Sequence, residues 1–239
     1  DGSVQTVLDM RVSLDFSETY ENPTESFLRY RRSTLWNPGD RSESLLAFLT
    51  SLRKAAHGHG GAFAYLSPNS DMLGMIVERA AGVRFPDLLR ERVLEPVGAK
   101  GPCLVTVDIE GSSRTAGGIS LTARDLARVG EMMRNGGMAG SRAVLSDGWT
   151  RDTRSNGDQA AWKSGSFPYL FPDGAYRNFW YQTGYPGGAF CAIGIHGQWL
   201  YVDPGRETVI VKQSCQPEAV DDALDQQCLD FFRQVAEAA

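Results

Sequence analysis

The 239-residue chain predicts an α+β protein whose helices come first and whose strands come last. Three observations carry this. Apolar residues recur at helical spacing in several segments of the first 135 residues. Runs of β character cluster after residue 188. A last amphipathic segment then returns to the helical period. Residues 1–185 therefore read as a mainly helical subdomain, and residues 186–239 as C-terminal strands and a final helix.

Ser3 is placed to cap a short helix carrying Val4, Val7 and Leu8. A polar stretch, 13–22, follows with Asp15, Glu18 and Tyr20. Leu45, Phe48, Leu49 and Leu52 define an amphipathic helix over 43–54. A Gly-rich turn leads to Tyr65-Leu66-Ser67-Pro68-Asn69-Ser70-Asp71. There Asn69 or Ser70 is expected to cap a helix whose apolar face is Met72, Leu73, Ile76, Val77 and Ala80. Gly82 sits where a left-handed C-cap belongs. Residues 85–93 read as a further helix, stopped by Pro96. Residues 96–118 read mainly as loop, with a short strand at 103–107. Thr122-Ala123-Arg124-Asp125 resembles a capping box opening a helix through Leu126, Val129, Met132 and Met133, which ends at Gly136 and Gly137.

Residues 157–185 read as loop-like and aromatic. Nine of the 24 aromatic residues lie between 162 and 185, which suits an irregular core or an aromatic-lined pocket, and the core is the preferred reading for most. Three strands follow at 189–195, 198–202 and 208–213, with Asp203-Pro204-Gly205 as a tight turn. Pro217 is expected to open the last helix, with Val220, Ala223, Leu224, Cys228, Phe231 and Val235 on one face. Glu218, Asp221 and Asp222 stand near its start, where the helix dipole favours negative charge. Three strands make an incomplete sheet that needs partners or a cover. With Asp1 rather than Met in first place, the expectation is a chain that begins after processing or partway through a longer protein.

Composition narrows the function. A net charge of −5 without a basic domain argues against nucleic acid. No apolar run approaches the roughly 18 residues of a membrane helix. Cys103, Cys191, Cys215 and Cys228 show no metal-ligand spacing and read as packed thiols, which favours a cytoplasmic location. His57 and His59 lack a third ligand nearby, so neither a metal nor a cofactor is expected.

Three segments in order resemble one known family. They are Tyr65-Leu66-Ser67-Pro68-Asn69 with Leu73, Gly74 and Glu78; Thr115-Ala116-Gly117-Gly118-Ile119 with Thr122 to Arg128; and Gly194-Ile195-His196-Gly197-Gln198 with Val202-Asp203-Pro204. Together they resemble serine hydrolases of the β-lactamase and penicillin-binding-protein fold, and within them the 6-aminohexanoate-dimer hydrolases. The resemblance implies a helical subdomain beside an antiparallel sheet flanked by helices, here without its N-terminal part. It also implies acyl transfer through a serine ester, the serine lying in a Ser-x-x-Lys motif.

Ser51-Leu52-Arg53-Lys54 fits that pattern but is rejected, because it lies only 14 residues before Tyr65. The motif is expected upstream of Asp1. By resemblance, Tyr65 relays protons with help from Ser67, and Tyr20 contacts a leaving amine. A tyrosine relay requires an adjacent cation to stabilise the phenolate. The Ile195 N–H is implied as one oxyanion donor, with Gly194 permitting close approach. Trp180 is a candidate pocket wall, and His196 can face either the substrate or the core. Ala192-Ile193-Gly194 stands where many relatives carry Lys-Thr-Gly or His-Thr-Gly, which counts against a β-lactamase or a D-amino-acid peptidase. A non-catalytic binder of the same fold is the alternative from another class. The basic segment Phe27-Leu28-Arg29-Tyr30-Arg31-Arg32 makes a cationic substrate less favoured than a neutral ester or acidic amide. The expected partners are that small molecule, the upstream segment of the same protein and, in a homodimer, a second copy.

Overall fold

The computed structural model describes residues 2–36 and 43–238. The chain divides into two compact units, Asp1–Leu89 with Cys103–Ser120, and Arg90–Pro102 with Leu121–Ala239.

The first unit holds helices α1 (Val4–Leu8), α2 (Glu25–Ser33), α3 (Leu45–Ser51), α4 (Ser67–Ala81) and α5 (Phe85–Leu89). Two short strands, β1 (Leu104–Val105) and β2 (Ile119–Ser120), pair antiparallel. Ser3 caps α1 in a reciprocal capping box with Thr6. Gly82, at φ 65°, ends α4 in the left-handed conformation.

Helix α2 is absent from the sequence reading. Thr24 caps it, and Phe27 and Tyr30 bury one face at i, i+3 spacing. They join Leu45, Phe48 and Leu49 in one core, with Phe16, Tyr20, Met72 and Met75 packed against it. The arginines between them hide this apolar pair. Arg29 is bound to Glu43, Arg32 reaches Glu25 at 2.5 Å, and Arg31 lies over Phe27.

Helix α4 begins earlier than expected. Asn69 and Ser70 lie inside it, Leu66 is its N-cap residue, and Pro68 occupies its first turn. Its face differs too. Ser67, Pro68, Asn69, Asp71 and Gly74 are buried, whereas Val77 and Ala80 are exposed. A Cβ at Gly74 would stand 2.3 Å from Thr115 Oγ1, so the residue type permits the close approach of the 115 segment.

The second unit opens with a π-helical turn, Arg90–Leu94, that continues from α5. It then holds α6 (Ala123–Arg134), the hairpin β3 (Met138–Ala139) and β4 (Arg142–Ala143), α7 (Asp147–Ser155) and α8 (Gln159–Lys163). Thr122 caps α6 as expected. A five-stranded antiparallel sheet follows in the order β5 (Ala175–Arg177), β6 (Trp180–Gln182), β7 (Phe190–Gly194), β8 (Gln198–Asp203) and β9 (Thr208–Lys212). Helix α9 (Asp222–Ala238) ends the described chain.

The three late strands are where the sequence placed them. The two earlier ones correct the loop-like reading of 157–185, and the sheet runs across position 185. Their hairpin turns on Asn178 and Phe179, both with positive φ, and the phenylalanine conceals the usual Asn-Gly signal. The aromatic cluster there is core: Trp162, Phe171, Tyr176 and Tyr181 are buried, and Trp162 Nε1 donates to the Phe171 carbonyl at 2.7 Å.

Strand β8 alternates cleanly. Leu200 and Val202 meet Met132 and Met133 of α6, whereas Trp199 and Tyr201 meet Phe232 of α9. The last helix starts at Asp222 rather than Pro217. Its buried stripe is Cys228, Leu229, Phe232 and Ala236, and Phe231 and Val235 face outward. All four cysteines are free, Cys191 and Cys228 buried and Cys215 exposed. No helix among the described residues is long and apolar enough to cross a membrane.

Candidate active site

In the first unit the tyrosine motif is built around an acid that sequence reasoning passed over. Glu18 accepts the Ser67 backbone N–H at 2.6 Å through Oε2. Its Oε1 accepts the Ser67 hydroxyl at 2.7 Å and the Tyr20 hydroxyl at 2.8 Å. Ser67 is the first residue of α4, where helix N–H groups lack internal partners. A carboxylate there satisfies one such donor and meets the positive end of the helix dipole. Glu18 thus replaces the local cap expected from Asn69 or Ser70, and ties Tyr20 to Ser67.

Tyr20 is not a solvent-exposed loop residue. Its ring stands edge-on to Phe27, with centroids 5.2 Å apart, and its hydroxyl is held well above the ordinary phenol range by burial and by Glu18. Tyr65 lies in the extended segment just before α4. Burial, then the Glu18 charge, pushes its phenol up to about 12, against the opposing charge of Arg114. It is therefore protonated at neutral pH. Arg114 is the cation that acts on it from within the unit, and the acids outweigh it.

Beneath lies a second acid. Asp71, fully buried, accepts the Thr115 and Ala116 N–H groups at 2.7 and 2.8 Å and the Tyr30 hydroxyl at 2.5 Å. Burial raises its carboxyl above the ordinary value, and burial also holds the Tyr30 phenol up. The Ser-x-x-Lys look-alike has no such setting: Ser51 ends α3 and donates to the Phe48 carbonyl at 2.7 Å. His59 accepts the Ser13 N–H, and no group of three or more His, Cys, Asp or Glu suited to a metal occurs among the described residues.

In the second unit, Gly194 ends β7 and Ile195, His196 and Gly197 form the turn into β8. The His196 backbone adopts φ 60°. Its Nδ1 meets the Gln216 carbonyl at 2.8 Å; a carbonyl only accepts, so this nitrogen carries the proton. The backbone N–H of His196 donates to Ala219, so the residue is anchored at both ends. Trp180, on β6, is half-buried and edge-on to Phe190 at 5.1 Å, within the unit's core. Ala192 packs in the same core. The structure brings Tyr20, Ser67 and Glu18 together in one unit and sets Gly194, Ile195 and His196 in one turn of the other.

Residues 3–227 match the Beta-lactamase family, and the chain belongs to it. It is 40% identical over 219 residues to the 6-aminohexanoate-dimer hydrolase of Paenarthrobacter ureafaciens, across 90% of this chain and 55% of that protein. The chain thus spans about half the length of that relative. Its fold matches that of a Bacillus anthracis protein provisionally assigned as a 6-aminohexanoate-dimer hydrolase, with a TM-score of 0.84, 22% identity, and coverage of 98% of this chain and 60% of that one. It also matches a D-stereospecific amidohydrolase from a Streptomyces species, with a TM-score of 0.61, 15% identity, and coverage of 95% and 71%.

Proposed function

We propose that the protein is a serine hydrolase cleaving an ester or a linear amide through an acyl-enzyme. The Glu18–Ser67–Tyr20 arrangement beside Tyr65 is the observation that supports this most. It fixes two hydroxyls at a helix entrance next to a phenol held protonated. The nucleophile is proposed to come from a Ser-x-x-Lys segment preceding Asp1, as the family resemblance implies, and Ser51 to be uninvolved.

The serine oxygen attacks the carbonyl carbon as the lysine takes its proton. Tyr65 donates a proton to the departing amine, which cannot leave as an anion. Alcohol leaving groups need that proton less. Tyr20 is proposed to orient the amine and Ile195 N–H to act as an oxyanion donor. A lysine ammonium near Tyr65 would pull its phenol down from about 12 and let it cycle as acid and base. The cytoplasm remains the proposed compartment.

Steady-state kinetics of the full-length protein on one ester and one amide test this. Tyr65→Phe should lower acylation by about 10² to 10⁴, the scale of a general acid–base group. Ser51→Ala should change neither rate, and Tyr20→Phe should slow the amide more than the ester. Loss of activity in Ser51→Ala with Tyr65→Phe intact, at unchanged melting temperature, would overturn the assignment.

A further inference from the structure

The turn that carries Ile195 is short and has a glycine at each shoulder. Gly194 and Gln198 are paired across β7 and β8, so Ile195, His196 and Gly197 make the whole connection. Glycine leaves the backbone several conformations, so the turn sequence alone does not fix the direction of the Ile195 N–H. Among the described residues that N–H has no backbone acceptor, and Gly194 beside it is exposed.

Order comes from the segment before α9. His196 Nδ1–H donates to the Gln216 carbonyl at 2.8 Å, and its backbone N–H to the Ala219 carbonyl at 3.0 Å. Gln216 precedes Pro217, whose ring disfavours helical backbone at Gln216, so the acceptor is itself restricted. Gln198 Nε2 bridges the carbonyls of His196 and Ser214. Lys212 Nζ bridges the Gly197 carbonyl and Gln216 Oε1, at 3.0 and 2.7 Å. A Cβ at Gly197 would stand 1.6 Å from Gln216 Oε1, so the segment lies directly against the turn. His196 sits at φ 60°, a left-handed conformation that a non-glycine residue keeps where surrounding contacts hold it. Ile195 and Gly197 have no polar side chain, so the side-chain tie of the turn falls to His196.

We infer that His196 is a positioning residue: its Nδ1–H bond to Gln216 holds the left-handed turn and thereby aims the Ile195 N–H as an oxyanion donor. This rests on the hydrolase reading above and names the side chain that keeps the donor in place. Such a donor acts only if it is placed before charge develops on the substrate oxygen. Acylation and deacylation both pass through an oxyanion, so loss of the support lowers kcat whichever step limits, and leaves KM near its parent value. The tie survives protonation of the imidazole, because Nδ1 keeps its hydrogen.

Steady-state kinetics of the full-length protein on p-nitrophenyl butyrate test the inference. His196→Leu keeps bulk and removes the donor. Its kcat should fall by about 10- to 100-fold, short of losing a whole oxyanion donor, with KM little changed. His196→Asn puts an amide nitrogen where Nδ1 stands, and asparagine accepts left-handed backbone, so it should recover most of kcat. No fall in His196→Leu, or an equal fall in both variants, would show a merely structural histidine and overturn the inference. If His196→Leu fails to fold, His196→Gly decides in its place, since glycine takes this backbone without supplying the donor. A lower kcat at unchanged KM then supports the inference, and an unchanged kcat overturns it. The order parameter of the Ile195 amide, from NMR relaxation, separates this from the hydrolase reading because it needs no turnover. It should be near the rigid value of about 0.85 in the parent, fall in His196→Leu and return in His196→Asn. That pattern supports the positioning role even if the ester is not cleaved. An Ile195 amide equally ordered in all three proteins, or already mobile in the parent, overturns it.

Discussion

At the scale of single residues, burial and then the Glu18 charge raise the Tyr65 phenol, and the two Glu18 oxygens hold Ser67 and Tyr20. Glu18→Gln keeps an acceptor and removes the charge. The Tyr65 titration should then move down from about 12 towards the ordinary phenol value. Ultraviolet difference titration of Glu18→Gln with and without Tyr65→Phe would measure it, and an unmoved midpoint would assign the shift to burial alone. Tyr65, Ser67 and Tyr20 were legible in the sequence because they sit in or near a motif with a recognisable order. Glu18 was not. It meets Ser67 across 49 residues, which leaves no periodic signal.

Glycines decide how closely elements pack. A Cβ at Gly130 on α6 would stand 2.6 Å from Val209 and 2.7 Å from Leu200. Gly130→Ala gains helix propensity yet overpacks the interface with β8 and β9, for a net loss of about 1 to 2 kcal/mol. A melting temperature lower by roughly 2 to 8 °C is expected. Gly148 in α7 has open space around it, so Gly148→Ala should stabilise by up to about 1 kcal/mol. Thermal melts of the pair would show opposite signs, and the same sign in both would contradict the packing account. Element type was well marked where period and caps agreed, as at Ser3, Thr122 and strands β7 to β9. It failed where charge interrupted an apolar pair in α2, and where a phenylalanine took a left-handed turn position between β5 and β6. In α9 the right helix was assigned a face rotated by one residue, because Phe231 and Phe232 compete for burial and only Phe232 meets the sheet.

For the molecule as a whole, the fold class was readable because a helical start, a β-rich end and a final helix are each internally consistent. The two earliest strands of the sheet were hidden among aromatics. Family membership rests on residues 3–227, and the chain spans 55% of its curated hydrolase relative. Acyl transfer is proposed to use a serine other than Ser51. Labelling the nucleophile of the full-length protein with a fluorophosphonate, which phosphonylates the serine and expels fluoride, followed by peptide mass spectrometry, tests this. A single label on the serine of a Ser-x-x-Lys preceding Asp1 is the expected result. A label on Ser51 would contradict it.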